Sequence, residues 1–288
     1  MKQLFLFIVL SSALITKSSN AQTWNNVGPA GFSPGFVAST SLKIDSSGTL
    51  YLAYEDFANG DKATVMKYDG TSWVPLGSAG FSAGQSDWTS MVMDAHGTPY
   101  VVYQDFANSQ KASVMKYDGT SWVYVGIPGF TSGQANSPYI AIDHSGTPYV
   151  TYGDPANGAK ATVMKYDGSS WVIVGAADFS AGSVDNTVIA IDPSGAPYVV
   201  YSDNTATGLG RATVMKYNGS SWVVVGIADF SAGQAFDLGL AIDGSGTPYV
   251  SYDDYGNGQK ITVMKYDGTN WVNVGSAGFS TDPWNIHQ

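Results

Sequence analysis

A thirteen-residue sequence recurs five times along this chain of 288 residues. The sequence "KATVMKYDGTSWV" begins at Lys62, and close copies begin at Lys111, Lys160, Arg211 and Lys260. Each copy contains a tryptophan that is followed eight residues later by a phenylalanine, and the period is about 49 residues. Such a period is typical of propellers, solenoids and other repeat arrays. The fold must therefore be built from near-identical units.

Each period contains four short strand-like segments. β-branched and aromatic residues dominate segments such as "IAID", "PYVVY", "ATVMKY" and "WVVVG", and none of them is long enough for a typical helix. The third and fourth segments are joined by Asp–Gly or Asn–Gly, which favour tight hairpins because glycine accepts a positive φ. Each period therefore predicts a four-stranded antiparallel meander.

Four strands in a period of this length are typical of one propeller blade. The first strand should line the central channel, the Trp strand should lie outside, and the Trp and Phe rings should seal blade against blade. The first three strands occur five times, which predicts an all-β, five-bladed β-propeller with four-stranded antiparallel blades. A right-handed solenoid of the same units is the rival fold.

The Trp strand occurs six times, because Trp24 precedes any first strand. Three roles are open for this extra N-terminal strand. It completes a blade that begins at the other end of the chain and so seals the ring, it belongs to a sixth, truncated blade, or it pairs with a second molecule. In each case we expect residues 22–288 to form a single propeller domain.

The first 21 residues have the features of a secretory signal peptide. A lysine precedes a short apolar run, and "SNA" provides a small-residue cleavage site after Ala21. A membrane anchor is the alternative, but the apolar run is too short to span a bilayer. We therefore expect export of a protein that is not inserted in the membrane, with a secreted location, either extracellular or periplasmic.

Two repeated motifs carry a resemblance to known proteins. The patterns I-D-x-S-G-x-P-Y-V and K-Y-D-G-x-S-W-V resemble secreted bacterial β-propeller repeats, over about 265 residues. In blade number and repeat length the chain is also similar to five-bladed lectins of the tachylectin-2 type. The first resemblance implies a propeller scaffold, and the second implies a lectin-like architecture without assigning any sugar-contacting residue.

The charge and the residue types exclude several functions. The formal net charge is −10, and such a surface repels phosphate backbones, so we expect no nucleic-acid partner. The chain has no cysteine, and its three histidines (His96, His144 and His287) do not form a metal-binding motif. We therefore expect turn-surface histidines, no metal site and no cofactor.

Two sets of aspartates align across the repeats and suggest either rings of carboxylates for a cation or residues that satisfy turn N–H groups. The second reading is favoured for both sets. We also expect the aligned basic residues at the start of the third strand to pair with the second set across the hairpin. The first set is Asp45, Asp94, Asp143, Asp192 and Asp243, and the second is Asp56, Asp105, Asp154, Asp203 and Asp254.

Glu55 is the conspicuous candidate for an acid catalyst, because it is the one glutamate of the chain. Glycoside hydrolysis needs two carboxyl groups in different environments, which a symmetric ring tends not to provide. The residue type at the position of Glu55 differs between the repeats, which is typical of an exposed loop. Sialidases bind their substrate with several arginines, whereas this chain has only Arg211. We therefore expect no catalytic residue.

Recognition is the remaining class of function. In a propeller, the links between blades and the loops between the second and third strands open on one face, and amides and carboxylates beside aromatic rings suit sugar hydroxyls. The alternative is that these are ordinary polar loop residues. The candidates on the links are Gln85, Asp87, Trp88, Gln134, Asn136, Asp185, Asn186, Gln234 and Asp237, and those on the loops are Asn59, Asn108, Asn157 and Asn257.

These observations favour an exported, non-enzymatic binding module that recognises a glycan or cell-surface polysaccharide. Five similar weak sites would gain from avidity on a dense glycan surface, so we expect multivalent binding on the loop face. A structural component that binds a protein partner is the first alternative. A five-bladed propeller glycoside hydrolase is the second alternative and is less favoured.

Overall fold

The computed structural model describes residues 25–205 and 209–281, and they form five four-stranded antiparallel sheets. The prediction of an all-β, five-bladed propeller is confirmed. Short 3₁₀ helices, one turn each, follow the second strand of four blades. No helix in these two ranges is long and apolar enough to cross a membrane. The 3₁₀ helices are Phe57–Asn59, Phe106–Asn108, Pro155–Asn157 and Tyr255–Asn257.

The four strands of each blade pair in chain order, with the first strand innermost. Blade one contains β1 (Val37–Ile44), β2 (Leu50–Asp56), β3 (Lys62–Tyr68) and β4 (Trp73–Pro75). Blade two contains β5 (Ser86–Met93), β6 (Pro99–Asp105), β7 (Lys111–Tyr117) and β8 (Trp122–Tyr124). Blade three contains β9 (Asn136–Ile142), β10 (Pro148–Asp154), β11 (Lys160–Tyr166) and β12 (Trp171–Ile173). Blade four contains β13 (Val184–Ile191), β14 (Pro197–Asp203), β15 (Arg211–Tyr217) and β16 (Trp222–Val224), and blade five contains β17 (Ala235–Ile242), β18 (Pro248–Asp254), β19 (Lys260–Tyr266) and β20 (Trp271–Asn273).

The links between blades seal one sheet against the next through aromatic rings. Phe81, on the link from blade one, stacks on Trp122 of blade two with ring centroids 4.2 Å apart and planes 10° from parallel. The indole N–H of Trp122 donates to the carbonyl oxygen of Leu76 at 2.8 Å. The same pair of contacts recurs at the following junctions. The predicted role of the repeated Trp and Phe is therefore confirmed.

Buried apolar clusters fill four junctions, each between two consecutive blades. The junction of blades one and two, for example, buries Tyr51 and Ala53 against Met91 and Val101. No such cluster joins blade five to blade one among the residues that the structure describes. The inner strands give the same result, because consecutive ones pack together from β1 to β17, whereas β17 and β1 make no comparable contact.

Both aspartate sets hold turns, as the favoured reading predicted. In the first set, Asp143 accepts hydrogen bonds from the backbone N–H groups of Ser145 and Thr147 at 2.9 Å. In the second set, Asp105 is fully buried and accepts from the side chains of Asn108 and Ser113 at 2.9 and 2.6 Å. These carboxylates therefore satisfy local donors of their own blade.

The predicted ion pairs between the second aspartate set and the aligned basic residues are not formed. Within the described ranges the one salt bridge joins Lys216 to Asp192, with 3.0 Å between Nζ and Oδ2. The second set is instead buried beside the 3₁₀ turn, where short hydroxyl and amide side chains reach the carboxylate. The basic residues at the start of the third strand are only half-buried, whereas the aspartates opposite them are buried.

The N-terminal strand proposed around Trp24 lies outside the described residues. Blade five has an outer strand of its own, because Trp271 pairs with Tyr266 in the β19–β20 ladder. Completion of that blade therefore needs no strand from the N-terminus. The described residues just after Trp24 instead cover blade one, where Val27 accepts the indole N–H of Trp73 at 2.9 Å.

Candidate functional site

The inner strands of all five blades surround one cavity with a volume of about 360 Å³. Its walls come from the first half of each inner strand, the end that follows a link. The cavity therefore lies toward the loop face, which we define as the face carrying the links and the loops between second and third strands. The lining is Ser39 to Lys43 of β1, Trp88 to Ser90 of β5, Ser137 to Tyr139 of β9, Asn186 to Val188 of β13, and Asp237 and Leu238 of β17.

A backbone irregularity directs several of these side chains toward the cavity. The register of the first and second strands shifts between Asp87 and Ser90, and Trp88 in between adopts a φ of +48°. Ser137 and Asp237 occupy the same place in their blades, with φ values of +46° and +47°. Bulges of this kind re-aim side chains and are frequent beside functional sites. A bulky residue at positive φ is also unusual and persists where surrounding structure holds it.

The cavity combines an aromatic surface with opposite charges and amides. The indole of Trp88 is 42% exposed, which is high for a tryptophan. Lys43 is half-buried in the wall, and burial lowers the pKa of its ammonium group. Burial also raises the pKa of the Tyr139 hydroxyl, which stays protonated as a hydrogen-bond donor. Asp237 and Asn186 add acceptors on the opposite blades. This set can bind a neutral polar molecule with a flat apolar side.

Glu55 is buried, and the prediction of an exposed loop position is wrong. Only 7% of the residue is exposed, because its side chain lies on the face of β2 that packs toward blade two. Burial, together with the charges of Asp87 and Asp61 and a hydrogen bond to Asp87, raises the pKa of Glu55 to about 7. Glu55 and Asp87 thus form a carboxyl pair at the first junction. Neither residue lines the central cavity.

The position of Glu55 in the second strand is occupied by different residues in the other blades. The side chains of Gln104 and Ser202 donate to the backbone carbonyls of Ala135 and Ala235 in the next blade. In blade five, burial and the charge of Asp237 raise the pKa of Asp253. This position of the second strand therefore lies at the blade junction. Its residue type varies because each blade contacts the link that follows in a different way.

The structure brings three of the sequence-predicted site residues together. Trp88, Asn186 and Asp237 line the central cavity, although they come from three different blades. Asp87 accepts from the amide of Gln85 at 3.3 Å, next to the cavity wall. These residues are separated by about one or two periods in the chain, and closing of the blades around one axis brings them together.

The remaining predicted residues lie elsewhere on the loop face. The four asparagines donate their side-chain amides to the second aspartate set of their own blades, with N–O distances between 2.8 and 2.9 Å. Their nitrogens are therefore part of the loop structure. Four of the predicted link residues also lie outside the cavity lining, namely Gln134, Asn136, Asp185 and Gln234. The side-chain amide of Gln134 donates to the side chain of Gln110, and the backbone carbonyl of Asp185 accepts from the hydroxyl of Ser137.

Lys43 and Tyr139 are lining residues that the sequence reasoning missed. Lys43 was detectable, because it is the one basic residue after Lys17 that belongs to neither repeated lysine position. Tyr139 is likewise the one aromatic residue at its position, where the other first strands have Ser41, Ser90, Val188 and Gly239. A search for residues that break the repeat would have found both.

A second kind of concave surface lies on the opposite face, where the turns between first and second strands meet those between third and fourth strands. One such groove of about 570 Å³ combines Tyr149 and Lys165 of blade three with Ser194 and Asn218 of blade four. An equivalent groove of about 680 Å³ combines Tyr198 of blade four with turns of blade five. These grooves recur with the blades, whereas the central cavity occurs once.

The described ranges contain no group of three or more His, Asp or Glu side chains that could hold a metal ion. His96 and His144 lie exposed in turns, as expected, and His287 lies outside the described residues. The carboxylates of the second aspartate set are buried and face their own blades.

No protein-family model matches this chain, and no curated protein is similar to it in sequence. Solved structures share its fold. A protein of unknown function from Dyadobacter fermentans is 14% identical, with a TM-score of 0.58, over 84% of this chain and 83% of that one. The Hadza microbial sialidase Hz136 is 16% identical, with a TM-score of 0.57, over 82% of this chain and 57% of that one. An ulvan lyase of polysaccharide lyase family PL25, bound to -[GlcA(1-4)Rha3S]-, is 13% identical, with a TM-score of 0.54, over 81% and 68% of the two chains. These similarities establish a shared propeller fold.

Proposed function

We propose that this chain is an exported carbohydrate-binding protein whose principal site is the central cavity. The observation that carries the proposal is the position of Trp88, an exposed indole that a strained backbone directs into a cavity lined by amides, hydroxyls and both charges. A sugar ring presents one apolar face and many hydroxyls. An aromatic platform surrounded by donors and acceptors complements such a ligand.

Two features of the chain and one structural comparison support a carbohydrate ligand over other polar molecules. Lys43, Asp237 and Asn186 lie on separate blades, so they surround a ligand and do not select a single charged group. The net charge of −10 disfavours polyanions such as nucleic acid. The sialidase and the ulvan lyase with the same fold act on carbohydrates, as their names state. Because the identities are low, that likeness supports only the choice of ligand class to be tested first.

The site proposed here occurs once per chain, which changes the earlier expectation of five equivalent sites. The cavity walls differ from blade to blade: Ser39, Trp88, Ser137 and Asp237 occupy equivalent bulge positions. Multivalent binding would instead need the recurrent grooves on the opposite face. Stoichiometry therefore separates the two sites, since the cavity binds one ligand and the grooves several.

A glycan array with the chain lacking residues 1–21 identifies the ligand, and calorimetry with that ligand gives affinity and stoichiometry. We expect one site per chain. The variant Trp88→Ala should weaken binding at least about thirty-fold, because truncation of a central aromatic contact costs ~2 kcal/mol or more. Phe57→Ala is the matched control, since Phe57 is exposed to a similar extent and lies outside the cavity lining.

Two results would contradict the proposal. One is a folded protein that binds no glycan on a broad array. The other is glycan binding that Trp88→Ala and Phe57→Ala leave equally unchanged, which would move the site to another surface. A structural or protein-binding role then becomes the leading function, and purification of a specific partner would support it.

The carboxyl pair of Glu55 and Asp87 is the specific observation in favour of a hydrolase. A carboxyl group with a pKa near 7 is protonated often enough at neutral pH to act as a general acid. However, the two groups contact each other directly, whereas glycosidases place the substrate between carboxyl groups that lie roughly 5–9 Å apart. Polysaccharide turnover that disappears in Glu55→Gln would establish the hydrolase and contradict a purely binding role.

A further inference from the structure

The grooves on the face opposite the loop face share one design but differ in charge. Each contains a lysine of a third strand together with the two turns of one blade. The groove within blade two is lined by Lys116 and by the carboxylates of Asp94 and Asp118. The charged residues that line the groove between blades four and five are Lys216, Lys265, Asp243 and Asp267. In both grooves, carboxylates balance or outnumber the lysines.

The groove between blades three and four, which we call the blade-three/four groove, has the opposite charge. Lys165 and Lys216 line it, and none of the described residues in its lining carries a carboxylate. Asp192 lies beside it, but its side chain is only 6% exposed and its Oδ2 bonds to Nζ of Lys216 at 3.0 Å. Lys165 has no salt-bridge partner in the part of the chain that the structure describes. The groove is therefore locally positive in an acidic chain.

The carboxylate is missing because of one departure from the repeat. The turn between third and fourth strands begins with aspartate in four blades and with Asn218 in blade four. Oδ1 of Asn218 accepts from the backbone N–H groups of Ser220 and Ser221 at 3.0 and 2.9 Å. Oδ1 of Asp118 accepts from the equivalent N–H groups in blade two. The turn is thus the same, and only the second polar atom changes, from a charged acceptor to an N–H donor.

Blade five shows the effect of a carboxylate at this position. Backbone hydrogen bonds from Asn270 and Thr269 lower the pKa of Asp267, and the charge of Lys265 adds to the effect. The carboxylate is therefore ionised at neutral pH and opposes the attraction of the lysine for an anion. Asn218 is exposed and brings no such charge to the lysines of its own groove.

We propose that the blade-three/four groove binds an anionic saccharide, whose carboxylate or sulfate group contacts Lys165 and Asn218. The ammonium group and the side-chain amide both donate, and hydrogen bonds to a charged acceptor are stronger than those between neutral groups. The volume of about 570 Å³ is within the usual range of ligand sites. The half-buried ring of Tyr217, whose hydroxyl donates to the carbonyl of Gly219 at 3.0 Å, adds a fixed apolar surface for sugar carbons.

The two parts of this proposal have different supports. The preference for an anion rests on the charges of the groove alone. The choice of a saccharide as its carrier rests on the proposed carbohydrate function. The groove and the central cavity share no lining residue, so each site can be tested while the other is left intact.

Charged and uncharged forms of the same sugar test the preference. Digalacturonic acid and its dimethyl ester are matched probes, because esterification removes the charges and leaves the sugar rings in place. A sulfate ester of galactose and galactose itself form the second pair. In calorimetry with the chain lacking residues 1–21, we expect at least one charged probe to bind at one site. Its uncharged partner should bind at least about tenfold more weakly, and higher ionic strength should weaken the charged probe.

Asn218→Asp tests the assignment without disturbing the turn, because four blades carry aspartate at this position. The restored carboxylate repels the anion, so we expect the affinity for the charged probe to fall at least about tenfold. Lys165→Gln should weaken binding in the same direction. Asn273→Asp is the matched control, since it adds the same charge at an exposed position of β20 outside the groove lining. This control should leave the affinity unchanged.

Trp88→Ala distinguishes the groove from the central cavity. We expect it to leave binding of the charged probe unchanged, whatever its effect on glycan binding in the cavity. The proposal is overturned if neither charged probe binds, or if Asn218→Asp binds the probe as tightly as Asn273→Asp does. Loss of charged-probe binding in Trp88→Ala would also overturn it, because the anion would then bind in the cavity.

Discussion

Trp73 donates its indole N–H to the carbonyl oxygen of Val27, 46 residues earlier in the chain, at a distance of 2.9 Å. The same separation of 46 residues occurs between Trp122 and Leu76 and between Trp171 and Val125. The bond to Val27 is exposed, whereas the bond to Val125 is buried. The repeated bond between the indole and a carbonyl is therefore exposed in blade one, at the end of the series of blades, and buried in blade three, within the series.

Substitution of these tryptophans by phenylalanine should show the difference. Trp171→Phe leaves the buried carbonyl of Val125 without its donor, and an unsatisfied buried group costs about 1–3 kcal/mol. Trp73→Phe leaves a carbonyl that water can reach, so the loss of unfolding free energy should be smaller. Urea denaturation of both variants measures the difference. Equal losses would contradict the assignment of the first position to an open end.

Gly126 should not tolerate a side chain. Its φ is +75°, and a Cβ would lie 3.0 Å from the ring of Tyr166 and 3.1 Å from that of Trp171. We expect Gly126→Ala to combine the left-handed backbone cost of about 1–2 kcal/mol with an overpacking cost of about 1–3 kcal/mol. Gly146→Ala is the control, because Gly146 has a φ of +86° and open space around it. Thermal unfolding of both variants separates the two costs.

The buried carboxylate of Asp105 should be essential for blade two. It accepts from the backbone of Ala107 at 3.0 Å, from Asn108 at 2.9 Å and from Ser113 at 2.6 Å. Asp105→Ala removes all three hydrogen bonds at a fully buried position. We therefore expect the free energy of unfolding to fall by about 1 kcal/mol for each lost bond. Asp118→Ala, in an exposed turn, should cost about 1 kcal/mol or less. Chemical denaturation that ranks the two variants in the reverse order would contradict this assignment.

Glu55 should make stability depend on pH. Its carboxyl pKa is raised to about 7 in the folded chain, against about 4.3 in an unfolded one, so the folded state binds the proton more tightly. Ionisation therefore opposes folding. The penalty is absent below about pH 4, grows between about pH 4 and 7, and is complete above pH 7.

Removal of the titrating group should abolish that part of the pH dependence. We expect the stability of Glu55→Gln, relative to the unmodified chain, to rise as the pH increases from 4 to 8. Denaturation midpoints at several pH values provide the measurement. Parallel curves for the two proteins would mean that Glu55 does not carry the shifted pKa.

Much of the fold was predictable from the sequence because the information is local and repeated five times. The Asp–Gly turns and the proline at the start of four second strands depend on residues within one period, and the repeated Trp and Phe indicate one contact between neighbouring blades. The turn role of both aspartate sets was predictable for the same reason, since Asp105 and Asp143 bond to neighbours within eight residues. The prediction of ion pairs was wrong because strand register does not reveal which side chains share the buried volume.

The amino-acid sequence by itself determined the blade, its four strands, its turns and the number of copies, because these depend on residues close together in the chain. Apart from the repeated Trp–Phe contact, only the tertiary structure decided which positions meet across blades. The burial of Glu55, the convergence of Trp88 with Asp237 around one cavity, and the exposure of Leu42 all depend on how separate sheets are placed around an axis. That placement is set by packing between blades, where equivalent residues meet different neighbours at the ends of the series and within it.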